Sequence, residues 1–236
     1  MTMLSGEAPS RAAFILAGHG DKVKISTIGS RAWLVEAPGD FDLPAQRRIW
    51  SLATLLESRA EVESLIPGVT NLLILFHQTP VDYDATLTLL NELWQQAQAV
   101  SPRGKLIEIP VIYGGEHATD LDVVCQHTGL SAAEVIRRHA QGSYTVFALG
   151  SAPGFGYLHG LDPTIATPRK KVPSLNMLKG TVTIGGAQAG VSALTGPNGW
   201  NAIGFAELNV FDPWAENPAL MAPGDSVRFL AERIEL

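Results

Sequence analysis

The stretch Ala148-Leu-Gly-Ser-Ala-Pro-Gly-Phe-Gly-Tyr-Leu-His-Gly-Leu161, followed closely by Ala166-Thr-Pro-Arg-Lys-Lys-Val-Pro173, limits what this chain can fold into more than any other. Three Gly and one Pro fall within Gly150 to Gly156. Such a run is neither a regular strand nor a helix, because Gly loses the most backbone entropy on ordering and Pro has no backbone donor. Two readings follow. Either the loop is tight and lets two barrel strands pack closely, or it faces a ligand, with Gly admitting the ligand to the backbone and Phe155 and Tyr157 forming a wall. Composition does not choose between them.

The remainder of the chain excludes several function classes. With 236 residues it is long enough to bury a sizeable core as one large domain or two smaller ones. Charged residues at 17% against 46% hydrophobic leave a rather apolar surface, which suits a subunit with a partner. A formal charge of -6 and the absence of any basic run longer than Arg169-Lys170-Lys171 argue against nucleic acid. The single cysteine, Cys125, excludes an internal disulfide and a multi-thiolate zinc site, and fits a reducing compartment. The apolar run Ala12 to Gly18 is too short to span a bilayer, so no membrane segment and a cytoplasmic location are expected.

In chain order, residues 1–22 read as a flexible tail with no periodicity. Val23–Ile28 and Arg31–Glu36 alternate as a hairpin around Gly29-Ser30, and apolar positions Ile49, Leu52, Ala53 and Leu56 after Pro44 mark a helix. Glu61–Ile66 and Thr70–Phe76 form a second strand pair, Val81–Val100 a helix, and Lys105–Tyr113 a strand in which Pro110 favours an edge or a bulge. The order strand, helix, strand, strand, helix, strand is that of a ferredoxin-like sandwich with Val23–Ile28 as an added edge. Residues 114–144 give a short helix capped by Thr119 and a second opened by a Ser131-to-Glu134 capping box. Thereafter short strands alternate with Gly and Pro, as in a small barrel. The expected class is α+β: a ferredoxin-like unit over 23–104 and a barrel over 105–236, the strand from Lys105 being counted in both patterns.

Few residues suggest chemistry singly. The six histidines have no close metal-motif spacing, and no metal site is expected. Glu116 beside His117, after two glycines, reads either as an acid/base pair near the Gly-rich loop or as a turn. Asp120 and Asp122 begin a helix, where carboxylates favourably face its dipole. Arg169 and Lys170 are suited to a carboxylate, bicarbonate or phosphate, or to a solvated turn. Gln188 among glycines could offer an amide, and Tyr157 and Trp200 could be wall or core. No Walker loop or dinucleotide fingerprint occurs.

In combination these residues resemble a known family. Tyr113-Gly-Gly-Glu116 with Asp120-Leu121, Pro153-Gly-Phe-Gly-Tyr-Leu-His-Gly-Leu161, Thr167-Pro-Arg169, Val172-Pro173, Gly180 to Gly190 with Gln188, Gly199-Trp and Pro223-Gly-Asp225 look like the family of 5-oxoprolinase B subunits. That family is also described as allophanate hydrolase subunit 1 or the KipI-type kinase inhibitor, and it is related to part of the urea carboxylase carboxyltransferase domain. The resemblance extends from about residue 23 to the end. It implies a ferredoxin-like unit before a cyclophilin-like barrel, and pairing with a larger homologous C subunit. With an A subunit as well, it implies ATP- and Mg-dependent opening of 5-oxoproline to glutamate. It places Pro153, Gly154, Phe155, Tyr157 and Trp200 at the substrate with Arg169 and Gln188 in catalysis, and the residue chemistry above adds Lys170 to the first group and Glu116 to the second.

Three segments depart from the family pattern. Gln188-Ala-Gly-Val-Ser192 stands where Gln-Thr-Gly and an aromatic are usual, and Ile203-Gly-Phe-Ala206 where Ile-Gly-Arg-Thr is usual. Ser174-Leu-Asn-Met-Leu-Lys179 replaces a Val-Pro-Ala-Gly connection. Phe205 in place of Arg removes a fixed charge and five donors, which implies an altered substrate or a less active member. Two alternatives accompany the oxoprolinase reading: half of a biotin-dependent carboxyltransferase, and a non-catalytic histidine-kinase inhibitor.

Overall fold

A computed structural model of the protein describes residues 22–99 and 104–236. The tail expected over residues 1–22 lies, except for Lys22, outside the described residues. The chain divides into two compact units, residues 1–100 and 101–236.

In the first unit, β1 (Lys24–Thr27) and β2 (Ala32–Glu36) form an antiparallel hairpin with Lys24 opposite Glu36 and Thr27 opposite Trp33. Helix α1 (Leu43–Glu57) starts where the Asp42 carboxylate accepts from Ala45 N at 2.8 Å, with Pro44 in the first turn, where its missing donor costs nothing. Strands β3 (Val62–Pro67) and β4 (Asn71–Phe76) follow, then α2 (Tyr83–Gln96), capped by Asp82. The antiparallel sheet has the order β1-β2-β4-β3. Leu72, Ile74 and Phe76 alternate along β4 into a core shared with Ile49, Leu52 and Leu56 of α1 and Leu90, Leu93 and Trp94 of α2. Gln46, fully buried in α1, meets the turn between β3 and β4: its Nε2 donates to Gly68 O at 3.1 Å, and Thr70 N donates to its Oε1 at 2.6 Å.

One expectation about this sheet is corrected. The strand at residues 105–113 does not close it; β1 occupies the edge beside β2, and β5 (Leu106–Gly114) belongs to the second unit. A hairpin joined by a few residues closes at little entropic cost, and the alternating Ile107, Ile109, Val111 and Tyr113 are consumed by the other core.

The second unit continues with α3 (Leu121–Thr128), α4 (Ala132–Gln141), β6 (Tyr144–Leu149) and β7 (Gly156–His159). Next come β8 (Ser174–Met177), β9 (Thr181–Gly185), β10 (Gln188–Val191), β11 (Gly196–Asn198), β12 (Asn201–Phe205) and β13 (Ser226–Glu235). Seven strands close a barrel in the order β10-β7-β6-β13-β5-β12-β9, while β8 and β11 form a separate two-stranded ribbon. Closure removes the exposed edges that open sheets must protect. Among the described strands only β5 and β13 pair in parallel, and their register shifts one residue beyond Pro110, between Ala231 and Arg233.

Two helix starts differ from expectation. The N-cap of α3 is Asp120 rather than Thr119, and its side chain makes no capping bond. At α4, Ser131 Oγ accepts from Glu134 N at 3.3 Å, but the Glu134 carboxylate turns to Arg137 and Arg138 instead of completing the box. Hydrogen bonds from Arg137, then Arg138, hold that carboxyl down at about 2.

Helix α4 carries a wholly buried titratable group, His139. His139 Nδ1 is 2.7 Å from Tyr113 Oη, Tyr144 Oη donates to His139 O at 2.8 Å, and the Phe229 ring lies 4.5 Å away. Its Nε2 has no hydrogen-bond partner among the described residues. Burial disfavours the imidazolium and lowers the His139 pKa to about 3. The same burial raises both tyrosine hydroxyls.

Candidate functional site

The Gly-rich loop joins β6 to β7 and folds on itself. Gly150 N donates to Phe155 O at 3.0 Å, Ala152 N to Gly150 O at 2.8 Å and Phe155 N to Ala152 O at 3.1 Å. Gly154 has φ +78°, and a Cβ there would lie 2.5 Å from Val210 O and 2.7 Å from Phe211 Cβ. Close packing thus accounts for this glycine. Pro153 remains exposed, Phe155 is buried and Tyr157 half-buried.

Three aromatic rings meet under this loop. Phe155 stands edge-on to Tyr157 at 5.1 Å and to Trp200 at 5.4 Å, and Tyr157 and Trp200 are 6.1 Å apart. Such edge-to-face pairs satisfy the ring quadrupoles and hold the group rigid. Trp200 packs flat against the backbone of β9: a Cβ on Gly185 would lie 2.2 Å from Trp200 Cδ2. Gln188 begins β10 directly across from Gly185.

Residues 167–170 are stitched along this cluster. Thr167 and Gly186 exchange backbone hydrogen bonds, Lys170 N donates to Gly199 O at 2.7 Å, and Asn201 Nδ2 donates to Pro168 O at 3.0 Å. The exposed Arg169 therefore stands over the Trp200 ring, its Cζ 5.4 Å from the centroid. Lys170 turns the other way. Its Nζ lies 2.6 Å from both Asp120 Oδ2 and Ser174 Oγ, and Asp120 Oδ2 also accepts from Ala202 N at 2.9 Å.

Beyond that ion pair is a cleft of about 340 Å³ lined by Glu116, His117, Thr119, Ser174, Asn176 and Thr181, with Met177, Leu178 and Ala202. The His117 ring lies 4.6 Å from Phe205, and its Nε2 is 3.6 Å from the exposed Glu116 Oε1.

The residues singled out in the sequence therefore fall into two groups. Phe155, Tyr157 and Trp200 are in mutual contact and Arg169 stands over Trp200, with Pro153 and Gly154 on the loop and Gln188 on the adjoining strand. Glu116 lines the separate cleft, none of whose lining residues comes from the loop at 150–157. Lys170 stands between the two, engaged by Asp120. Sequence reasoning treats Asp120 as a helix-dipole residue and does not place His117, Ser174 or Thr181 at one site. The only signal for that cleft is the unusual segment Ser174–Lys179. Among the described residues, no group of three or more His, Cys, Asp or Glu side chains is arranged to hold a metal ion. No helix among them is long and apolar enough to cross a membrane.

The chain is similar in sequence and in fold to known proteins. Residues 23–221 match the family model described as carboxyltransferase domain, subdomain C and D. The chain is 41% identical over 207 residues to the B subunit of 5-oxoprolinase from Escherichia coli O157:H7, covering 87% of this chain and 94% of that protein. Among solved structures, TTHA0988 is 32% identical with a TM-score of 0.72 over 85% of this chain, which spans only 39% of the TTHA0988 chain. The Kluyveromyces lactis urea amidolyase shares the fold, with a TM-score of 0.76 at 20% identity, over 89% of this chain and 15% of that one. The protein thus belongs to the carboxyltransferase subdomain C and D family and, within it, to the 5-oxoprolinase B-subunit family.

Proposed function

We propose that this chain is one subunit of an ATP-dependent 5-oxoprolinase, opening 5-oxoproline to glutamate in the cytoplasm only when a homologous C subunit joins it together with an A subunit. The observation that carries this reading is the 41% identity, along nearly its whole length, to a 5-oxoprolinase B subunit. That this chain corresponds to only part of TTHA0988 supports a partner, since a relative has the matching unit continuous with further sequence. The sheet order β1-β2-β4-β3 supports reading the first unit as ferredoxin-like, β1 taking the place of the last strand, and the seven-stranded closure supports a cyclophilin-like barrel.

Within the assembly, Arg169 is suited to the substrate carboxylate. Its exposed guanidinium is held over Trp200 and has five donors to offer. The aromatic cluster and the loop from Pro153 to Tyr157 form the rigid floor beside it, and Gln188 supplies an amide from β10. Glu116, beside His117, is suited to move a proton. Lys170 is engaged by Asp120, and among the described residues no group of three or more His, Cys, Asp or Glu side chains is arranged to hold a metal ion by itself. In the proposed assembly ATP with Mg is used together with the partner subunits, where phosphorylation of the lactam oxygen would activate the ring for hydrolysis.

The test is reconstitution: this chain, with the C and A subunits, releases glutamate from 5-oxoproline with ATP, and each omission abolishes release. Release undiminished without this chain would refute the assignment. The match to a carboxyltransferase family model favours one second reading, half of a biotin-dependent carboxyltransferase. It predicts turnover that requires a biotinylated carrier and is blocked by avidin.

A further inference from the structure

The ribbon of β8 and β11 stands outside the barrel sheet. Two strands alone are marginal in water, and this pair is held at both ends: Lys170 N donates to Gly199 O at 2.7 Å, and Lys179 N donates to Thr195 Oγ1 at 3.0 Å. Beneath it Ser192 Oγ donates to the buried Met177 Sδ at 3.3 Å. The ribbon is thus presented ready-formed, and a partner meeting it does not have to order it. Its outer side chains are apolar. Ser174 and Asn176 line the cleft with Glu116, so Leu175 between them alternates to the far side, where it is 81% exposed. Val172 before β8 is also 81% exposed, Leu194 before β11 56% and Leu178 after β8 40%. Single exposed apolar side chains are ordinary, but four on one small ribbon and its ends define an interaction surface.

The charge around the ribbon says what covers it. The chain is acidic, with a formal charge of -6, yet residues 163–206 contain no Asp or Glu. Lys171 adjoins Val172 and Lys179 adjoins Leu178, and both lysines are exposed. Neither has a carboxylate partner among the described residues; Lys179 Nζ donates to the neutral Asn209 Oδ1 at 2.6 Å. A second copy of this chain laying its own ribbon on this one would bring lysine against lysine in either orientation, which like-charge repulsion opposes.

We propose that the ribbon of β8 and β11 is the docking surface for a different chain, one presenting an apolar strip flanked by carboxylates. Val172 and Leu175 enter the strip, and Lys171 and Lys179 pair with its acidic flanks. The proposal rests on the oxoprolinase reading for the identity of that chain, the homologous C subunit.

The experiment measures binding of the purified C subunit to the immobilised full chain by surface plasmon resonance, at low and at high salt. Leu175→Ser should weaken binding by about tenfold to a hundredfold, the worth of burying one leucine side chain. Lys171→Glu combined with Lys179→Glu should slow association by about tenfold at low salt, and the effect should shrink at high salt. Trp214→Ala, which removes a large side chain 93% exposed outside the ribbon, should leave binding unchanged. Every altered position is exposed, and melting temperatures close to that of the unaltered chain show that the variants fold. Should Leu175→Ser not fold, the lysine variant and its salt dependence decide. No binding of the C subunit, binding indifferent to the ribbon variants, or loss with Trp214→Ala alone would overturn the proposal. Self-association of the free chain that Leu175→Ser abolishes would make a second copy the occupant and overturn it too. Ribbon-dependent binding of the C subunit without glutamate release by the reconstituted complex would refute the oxoprolinase reading alone; release together with binding that the ribbon variants leave intact would refute the docking surface alone.

Discussion

Lys170 Nζ sits 2.6 Å from Asp120 Oδ2, joining a segment after the Gly-rich loop to the N-cap of a helix fifty positions earlier, with both side chains about 14% exposed or less. The two partners are not equivalent. Asp120 also accepts from Ala202 N, so its removal orphans an amide as well as an ammonium. Asp120→Ala is expected to cost about 3 kcal/mol and Lys170→Met about 1–2, placing this partly buried pair at or below the range for wholly buried ones. Urea unfolding of both variants and the double variant checks this. Equal losses below about 0.5 kcal/mol would mark the pair as a surface contact of little consequence.

Gly185 and Trp200 make a second, purely steric prediction. The space a Cβ would need is occupied by the indole, with Trp200 Cδ2 at 2.2 Å, and the indole is only 5% exposed and hemmed by Phe155. Gly185→Ala should therefore destabilise by about 1–3 kcal/mol through overpacking. It should also shift Trp200 fluorescence, because the ring must move. An unchanged melting temperature and spectrum would show that the barrel yields at this point without strain.

Arg169 lies on the surface, so its truncation separates function from folding. Arg169→Ala should change stability by no more than about 0.5 kcal/mol. In the reconstituted complex, kcat/KM for 5-oxoproline should fall by about tenfold to a hundredfold, the worth of charge-assisted hydrogen bonds to a carboxylate. Steady-state kinetics with Arg169→Lys alongside tests the geometry, since an ammonium lacks the planar fork. Full activity in both variants would remove Arg169 from the site.

Local periodicity was legible in the sequence. Leu90 and Trp94 repeat at helical spacing in α2, and Ile107 to Tyr113 alternate as a strand, because those periods are written into neighbouring residues. Which sheet that strand joins was not legible, since β5 pairs β13 from the far end of the chain and no local signal encodes a distant partner. The candidate site divides along the same line. Phe155 and Tyr157 were visible as part of one motif, and Trp200 through its combination with others. Lys170 with Asp120, and His117 with Phe205, depend on barrel closure bringing distant segments together. Thr119 is expected to cap α3 because its type suits an N-cap, but the chain enters the helix one residue later, and Asp120 gives its carboxylate to Lys170 and Ala202.

His139 makes stability depend on pH with a definite sign. Its pKa in the folded chain is lowered to about 3 from an ordinary 6.5. Below about 6.5 the unfolded chain therefore takes up a proton that the folded chain refuses. Stability present above that pH is lost as pH falls towards 3, at up to about 1.4 kcal/mol per pH unit, or about 2 kcal/mol between pH 7 and pH 5. The Glu134 carboxyl, held down at about 2 from an ordinary 4.5, loses its contribution only as pH falls below about 4.5, outside the interval from pH 7 to pH 5. His139→Gln cannot take up the proton, and the amide remains able to meet Tyr113 Oη. The variant loses the ring contact with Phe229 and is expected to be less stable at neutral pH, but its stability difference between pH 7 and pH 5 should shrink by about 2 kcal/mol relative to the unaltered chain. Urea unfolding at the two pH values measures both quantities separately, and an identical pH difference in the two proteins would show that His139 can be protonated without unfolding the barrel.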